Sequence, residues 1–556
     1  MTDEQTLRDA VREANLTRDN AEIARGVRLS GSADEAEAFA YLAGKCAEYG
    51  LTTTLHTPTA YVSLPRAASL AVTVPEAREV ACITHSFSRA TPPHGLAGEV
   101  VDAGDGTDAD YARVDARGKI ALVVGLAMPA KAFAADRAGA VGLICANPEG
   151  LHEMIISPVW GTPTPETAAV LPHLVAVSVR REDGDALRTM CASGEVTVRV
   201  HAAVTTEWTP IPVLIADVPG TQEDRYVLLS GHVDSWHYGA MDNASANATM
   251  LEIARIFGEH RGELRRGLRL AFWSGHSHAR YGGSAWYADT AFGDLYDRCV
   301  CHVNAESTGG MGADDLTGMG NMAETWRFAA DAVRNVTGQT VRYRRMARNS
   351  DQSFTGVGVA SAFSGLSAQP TGGLGWWWHT PDDTLDKVDA ARLVRDTQVY
   401  LLACWRLCTA ALLPFDYAEA AREVRERLDA LHALAGGRFD LAPLVEATSR
   451  LHAAALRVNA ETAGGDRATG DAAERINAAL LAAGRALIPA TYTAAGPFAV
   501  DLALDAPVLP GLADLAALAA LDPVSDAARF LATRLVRERN RVWHALTTAA
   551  AALEQC

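Results

Sequence analysis

The hydrophobic pattern changes character several times along the chain. Residues 33–49 (ADEAEAFAYLAGKCAEY) set Phe39, Leu42, Ala43 and Cys46 on one stripe at helical spacing, behind a polar Gly31-Ser32 start and ahead of Gly50 as a C-terminal cap. Between 95 and 205 short β-rich runs (IALVVG at 120–125, VGLICAN at 141–147, LVAVSV at 174–179) alternate with glycine-rich turns and one short helix over Lys131–Arg137, the pattern of a small α/β module. From 226 the order becomes strand (YVLLS, 226–230), polar loop, amphipathic helix (244–260, with Met250, Leu251, Ile253, Ala254 and Phe257 inward) and strand (LRLAFW, 268–273). That alternation predicts an α/β fold with a mostly parallel sheet and helices on both faces, whose chemistry sits in loops beyond the strand carboxyl ends. After about 415 strand signals stop; Val424, Leu428, Leu431 and Leu434 recur at helical spacing, and two further helices are expected near 471–488 and 525–553, around a Pro/Gly-rich connection. The expected division is 1–94, 95–205, 206–415 and 416–556, the last a helical domain.

Length and composition narrow the classes. A chain of 556 residues exceeds what one core holds. The net charge of −17 argues against a nucleic-acid partner, which needs a clustered basic face. No run of eighteen or more apolar residues predicts a membrane span. The polar, acidic start shows no leader pattern, and nine scattered cysteines suggest reduced thiols, so the expectation is a cytoplasmic enzyme.

Four loops, each after a β-rich run, carry the candidate chemistry. The first holds His232, Asp234 and Asp242; imidazole binds zinc-like metals, Asp234 is placed to hold the ring by its other nitrogen, and Asp242 is placed to bridge two ions. The second holds His276, Ser277 and His278, whose i and i+2 histidines point to opposite sides of an extended loop. The third holds Glu306 after CVCHVN, and the fourth Trp376-Trp377-Trp378-His379-Thr380-Pro381-Asp382-Asp383. Singly each has a structural explanation. In order, each at a strand end, they point to a metal site. No Gly-x-Ser-x-Gly elbow or phosphate-binding loop is present.

The motif series resembles the zinc-dependent aminopeptidase superfamily that includes the glutamate carboxypeptidases and the transferrin receptor. It runs from Arg28-Leu-Ser-Gly-Ser32 through the 232–236 stretch, Gly-Ala-Met-Asp242-Asn243, Ser350-Asp351-Gln352-Ser353-Phe354 and the His379-Thr-Pro-Asp-Asp-Thr motif. Residues 95–205 resemble a protease-associated domain on Asp115-Ala-Arg-Gly-Lys-Ile120 and Ala138-Gly-Ala-Val-Gly142, and the tail resembles a dimerisation domain, so a homodimer is expected. The resemblance implies one divalent ion on His232, Asp242 and Glu306 and a second on Asp242, His278 and His379, zinc first, with manganese, cobalt or iron as alternatives. Asp234 takes the role of orienting His232. The implied activity is hydrolysis of an amide or peptide-like bond in a small substrate.

The chain departs from the family where Glu-Glu should precede Gly-Ser by six residues, for Ser277-His278 stand there. The first of those glutamates is the family's general base; the second is a ligand, which His278 can replace. Glu306 stands for the usual aspartate. Three readings of the missing base stay open: His276 supplies it, metal activation of water suffices for a more reactive substrate, or turnover is lost and the fold binds a partner instead. A metalloenzyme of another reaction class is the remaining alternative. Candidate substrate contacts are Tyr281, Arg348 and Trp378. Arg344, Arg345 and Arg348 form either an anion site or a solvated basic face, and the tryptophans either wall the pocket or pack.

Overall fold

The computed structural model describes residues 2–462 and 470–556, so 463–469 of the expected helical tail lie outside the described residues. A central six-stranded sheet runs in the order Thr52–His56, Val213–Val218, Gly267–Trp273, Tyr226–His232, Cys299–Asn304, Ser361–Ala362. The last four are parallel to one another, and Val213–Val218 runs antiparallel to both its neighbours, so the expected mostly parallel sheet has one reversed strand next to its edge. Tyr226–His232 and Cys299–Asn304 are buried at every residue, as the middle strands of a sheet covered on both faces must be. Alternation divides one strand between two cores. Val227 and Leu229 join the cluster under the helices Ala33–Glu48, Ala246–Glu259 and Ala390–Thr409, whereas Tyr226 and Leu228 meet Tyr287, Leu295, Phe354 and Val357 on the other face.

The second sheet has eight strands, in the order Arg78–Val80, Thr59–Val74, Thr197–Pro210, Leu96–Asp102, Ile120–Val124, Gly142–Asn147, Val175–Arg180, Cys82–Thr84. It contains the three β-rich runs read from the sequence, with the helix at Pro129–Arg137. The sheet extends ahead of the boundary expected at 95. Thr59–Val74 pairs along Thr197–Pro210, and Cys82–Thr84 closes the far edge, so residues 59–84 belong to the inserted sheet. That pairing joins residues more than a hundred positions apart, which no local pattern displays.

The tail is helical over Tyr417–Ala435, Ala442–Thr462, Asp471–Tyr492 and Asp526–Leu553. The helix at Ala442–Thr462 was not anticipated. Leu428, Leu451, Leu480, Leu535 and Leu546 continue the same apolar cluster that lies under the central sheet. Among the described residues no helix is long and apolar enough to cross a membrane.

Candidate metal centre

Three of the four expected ligand loops stand at strand ends, whereas His379 lies in a long loop 17 residues past Ser361–Ala362. His232 is the last residue of its strand, and Glu306 follows the strand that ends at Asn304. Asp242 lies in the turn Ala240–Ser245 ahead of the helix Ala246–Glu259. Asp383 fixes that turn by accepting the backbone N–H groups of Met241 (2.9 Å) and Asp242 (3.0 Å). Burial beside Asp242 pushes the Asp383 carboxyl up to about 7. Arg28 shapes the loop after His232: its fully buried guanidinium donates to the carbonyls of Val233 (2.8 Å), Tyr238 (2.7 Å) and Gly239 (3.0 Å). Left-handed backbone at Arg280, Tyr281, Ser307, Ser350, Asp351 and His379 gathers around the same point. Such conformations cost of order 1 kcal/mol each and persist where surroundings impose them.

Asp242 is the hub. Its Oδ1 lies 3.1 Å from His232 Nε2 and its Oδ2 3.0 Å from His379 Nε2, while Glu306 Oε1 approaches His232 Nε2 at 3.2 Å. Each imidazole is held from behind: His232 Nδ1–H donates to the carbonyl of Asp234 (2.9 Å) and His379 Nδ1–H to the carbonyl of Glu153 (2.7 Å). The Nε2 atoms therefore face carboxylate oxygens with either a proton or a cation needed between them. Without a cation, the His232 ring takes the proton: burial opposes its charge, but Glu306 and Asp242 outweigh burial and hold it well above the usual histidine range. Asp242 is correspondingly held well below the usual carboxylate range by His232 and His379 against its own burial. A divalent ion satisfies the same donors with neutral rings, which is the arrangement of a metal site whose ligands are fixed from behind.

His276 belongs to this cluster. A ring nitrogen of His276, one of His232 and a carboxylate oxygen of Glu306 lie within 4.8 Å of one another. The His276 ring stacks on His232 at 3.8 Å and is met edge-on by Tyr281 at 4.9 Å. Its Nδ1 is 2.7 Å from Asp351 Oδ2, and Asp351 in turn accepts from Ser284 Oγ at 2.6 Å. The Asp351 contact was not read from the sequence, although Ser350-Asp351-Gln352 was singled out as a motif. His278 is fully buried, with Nδ1 3.0 Å from Ser30 Oγ; its Nε2 has no hydrogen-bond partner. A buried ring nitrogen without a partner fits the ligand role expected of His278. Trp236 packs against both His278 (4.5 Å) and His379 (5.6 Å).

Two expected roles need correction. The carboxylate of Asp234 does not hold His232; its Oδ1 is 3.8 Å from Nδ1, and the main-chain carbonyl two residues past the ring takes that place. The carboxylate instead accepts from Ser30 Oγ (2.8 Å) and from the N–H groups of His276 (3.1 Å) and Ser277 (2.8 Å), pinning the second loop to the first. Arg348 is not free for a substrate. It bonds Asp501 at 2.9 Å and the carbonyls of Tyr492 and Leu502, and Arg345 bonds Glu423 and the carbonyl of Thr491, so both tie the tail to the catalytic part. Tyr281 is buried against Trp160 at 4.3 Å as well as His276. Trp378 stacks on the His379 ring at 3.5 Å, Trp377 is buried, and Trp376 is half exposed. Ser277 is buried beside the carboxylate of Asp234.

Residues 214–403 match peptidase family M28, and residues 96–187 match the PA domain. A probable glutamate carboxypeptidase of Zea mays, VP8, is 24% identical over 511 residues, which span 76% of this chain and 70% of that protein. Aminopeptidase YwaD of Bacillus subtilis is 26% identical over 57% of this chain and 68% of its own length. The solved aminopeptidase from Aneurinibacillus sp. strain AM-1 shares the fold, with a TM-score of 0.57 at 22% identity over 73% of this chain and 96% of that one.

Proposed function

Because the chain is a metallohydrolase built on a peptidase family M28 domain, we propose that it hydrolyses an amide or peptide-like bond in a small substrate, with His276 as the proton carrier in place of a glutamate. The observation that carries this reading is the imidazole of His276, backed by Asp351 at 2.7 Å and stacked on His232 within the ligand cluster. His232, Asp242 and Glu306 would hold one divalent ion, and Asp242, His278 and His379 a second. Nitrogen and carboxylate donors of this kind suit zinc, with manganese, cobalt and iron as alternatives. Ions held there would polarise the scissile carbonyl and make a neighbouring water more acidic.

The chain's own residues supply the rest. With Nδ1 committed to Asp351, His276 has Nε2 left to accept the proton of the attacking water and return it to the leaving amine. Asp351 keeps the ring in that tautomer and offsets the charge it gains. Ser277, at the position of the family's glutamate, has no ionisable group for that transfer. Trp378 and Tyr281 hold the rings of His379 and His276 in place and so frame the substrate site.

The test is His276→Gln, with metal content and turnover of a panel of dipeptides, amino-acid amides and N-acyl amino acids measured together. A loss in kcat of about 10²–10⁴, at unchanged metal content, is expected for removal of a general base. Turnover at the wild-type rate would reject His276, and a wild-type chain that takes up none of the four metals would reject the hydrolase reading. The chain is further proposed to form a homodimer through its tail, whose helices expose Leu456, Phe530 and Trp543, and to work in a reducing compartment, in keeping with nine free cysteines.

A further inference from the structure

The inserted domain reaches the metal centre through one short stretch, residues 152–160. At one end the ring of His152 donates from Nδ1 to the carbonyl of Trp378 at 2.6 Å. The next residue makes a reciprocal pair with His379: Glu153 N–H donates to the His379 carbonyl at 3.0 Å, and His379 Nδ1–H donates to the Glu153 carbonyl. Trp378 and Trp236 both pack on the apolar core of the inserted domain, and both touch the His379 ring. His379 itself has φ of 59°, a conformation a histidine holds only when its neighbours impose it. Of these neighbours His152 and Glu153 come from the insert, and Trp378 and Trp236 are seated on its core.

At the other end Trp160 packs at a tilt on Tyr281 and donates from Nε1 to Ser353 Oγ at 2.9 Å. Ser353 Oγ lies 2.9 Å from Ser284 Oγ, which donates to Asp351, which holds His276. Gly161 N–H donates to the carbonyl of Arg280, closing this contact on the loop of His276. One stretch of the insert thus stands behind both His379 and His276, whose own loops lie about a hundred residues apart in sequence.

We propose that residues 152–160 make the inserted domain a positioning element of the active centre, with His152 setting the orientation of His379 and Trp160 that of His276. The proposal rests on the reading of His379 as a metal ligand and of His276 as the proton carrier. His152 and Trp160 touch neither substrate nor metal in it. They act by fixing the rings that do, as partners behind metal ligands commonly do at a cost of about 10–100-fold in metal affinity or activity when removed.

The test uses the full chain and zinc alone, titrated in competition with a chromophoric chelator, for the wild type, His152→Ala and His152→Asn. The Ala variant should bind one of two ions about tenfold or more weakly and the other as the wild type does. Asn carries an N–H donor close to the position of Nδ1 and should recover most of that affinity. For Trp160→Phe, which keeps the ring contact and loses the N–H, zinc binding should be unchanged while kcat falls several-fold at constant KM. Wild-type zinc affinity in His152→Ala overturns the His379 arm. So does a loss that Asn fails to restore, because that marks a general packing role. Unchanged kcat in Trp160→Phe overturns the His276 arm. A wild-type chain that binds no zinc would instead overturn the metal reading itself, and the two failures are thereby told apart.

Discussion

Asp351 Oδ2 lies 2.7 Å from His276 Nδ1, across 75 residues of sequence. Both residues stand in loops beyond the central sheet, and Asp351 is drawn to its place by Ser284 Oγ and by its own left-handed backbone. The carboxylate gives the ring a fixed direction and a fixed tautomer, which a histidine in an open loop lacks.

Replacing that carboxylate by its amide keeps the shape and removes the charge. Asp351→Asn should lower kcat about 10–100-fold on whichever amide the wild type turns over, with KM changed by less than about twofold. Steady-state kinetics decide it. A fall in kcat/KM that comes wholly from KM would show that Asp351 binds substrate instead.

Asp242 touches both His232 and His379, so both proposed ions depend on it. Asp242→Asn should take metal content from about two ions per chain to one or none, measured by elemental mass spectrometry on protein dialysed against zinc. Retention of both ions would remove Asp242 from the ligand set.

Glu324 is buried at the junction of the catalytic part and the tail, where its Oε1 has no partner, and burial pushes its carboxyl up to about 7. The folded chain therefore holds this proton more tightly than the unfolded chain, whose carboxyl titrates near the ordinary glutamate value. Any stability linked to it is fully present below about pH 4.5 and is lost as pH rises through about 7, by up to about 3 kcal/mol. Urea unfolding at pH 5 and pH 8 should show a smaller drop in Glu324→Gln than in the wild type. Equal drops would mean that Glu324 is not the titrating group.

Arg348 is only 17% exposed and ties the catalytic part to the loop around Asp501. Arg348→Met should cost about 2–4 kcal/mol, because Asp501 loses its charged partner and keeps only the N–H groups of Ala494 and Ala495, and should leave KM unchanged. A raised KM in a variant of unchanged thermal stability would restore the anion-site reading.

Much of this could be read from the chain because it is local. The end of the strand Tyr226–His232 places His232 at the carboxyl edge of the sheet whatever the rest of the molecule does, and the same holds for Glu306 after Asn304. The i, i+2 spacing of Asp234 to His232 suggested the wrong atom. After a strand end the chain turns, and the carbonyl rather than the carboxylate comes to lie behind the ring. For Arg348 the sequence displays a cation but not its partner, and Asp501 is 153 residues away.

By itself the sequence determined the alternation of strand and helix from 226 to 273, the helical character of the tail and the loops that carry His232, His276 and Glu306, since periodicity and strand ends act over a few residues. Only the tertiary structure decided which side chains stand behind His276 and His379, which cations are already paired, and that the sheet of the insert begins at Thr59. Those outcomes depend on contacts between residues far apart in the chain. The free energy of such contacts comes from burial and mutual hydrogen bonding in the assembled fold, and no stretch of sequence displays it.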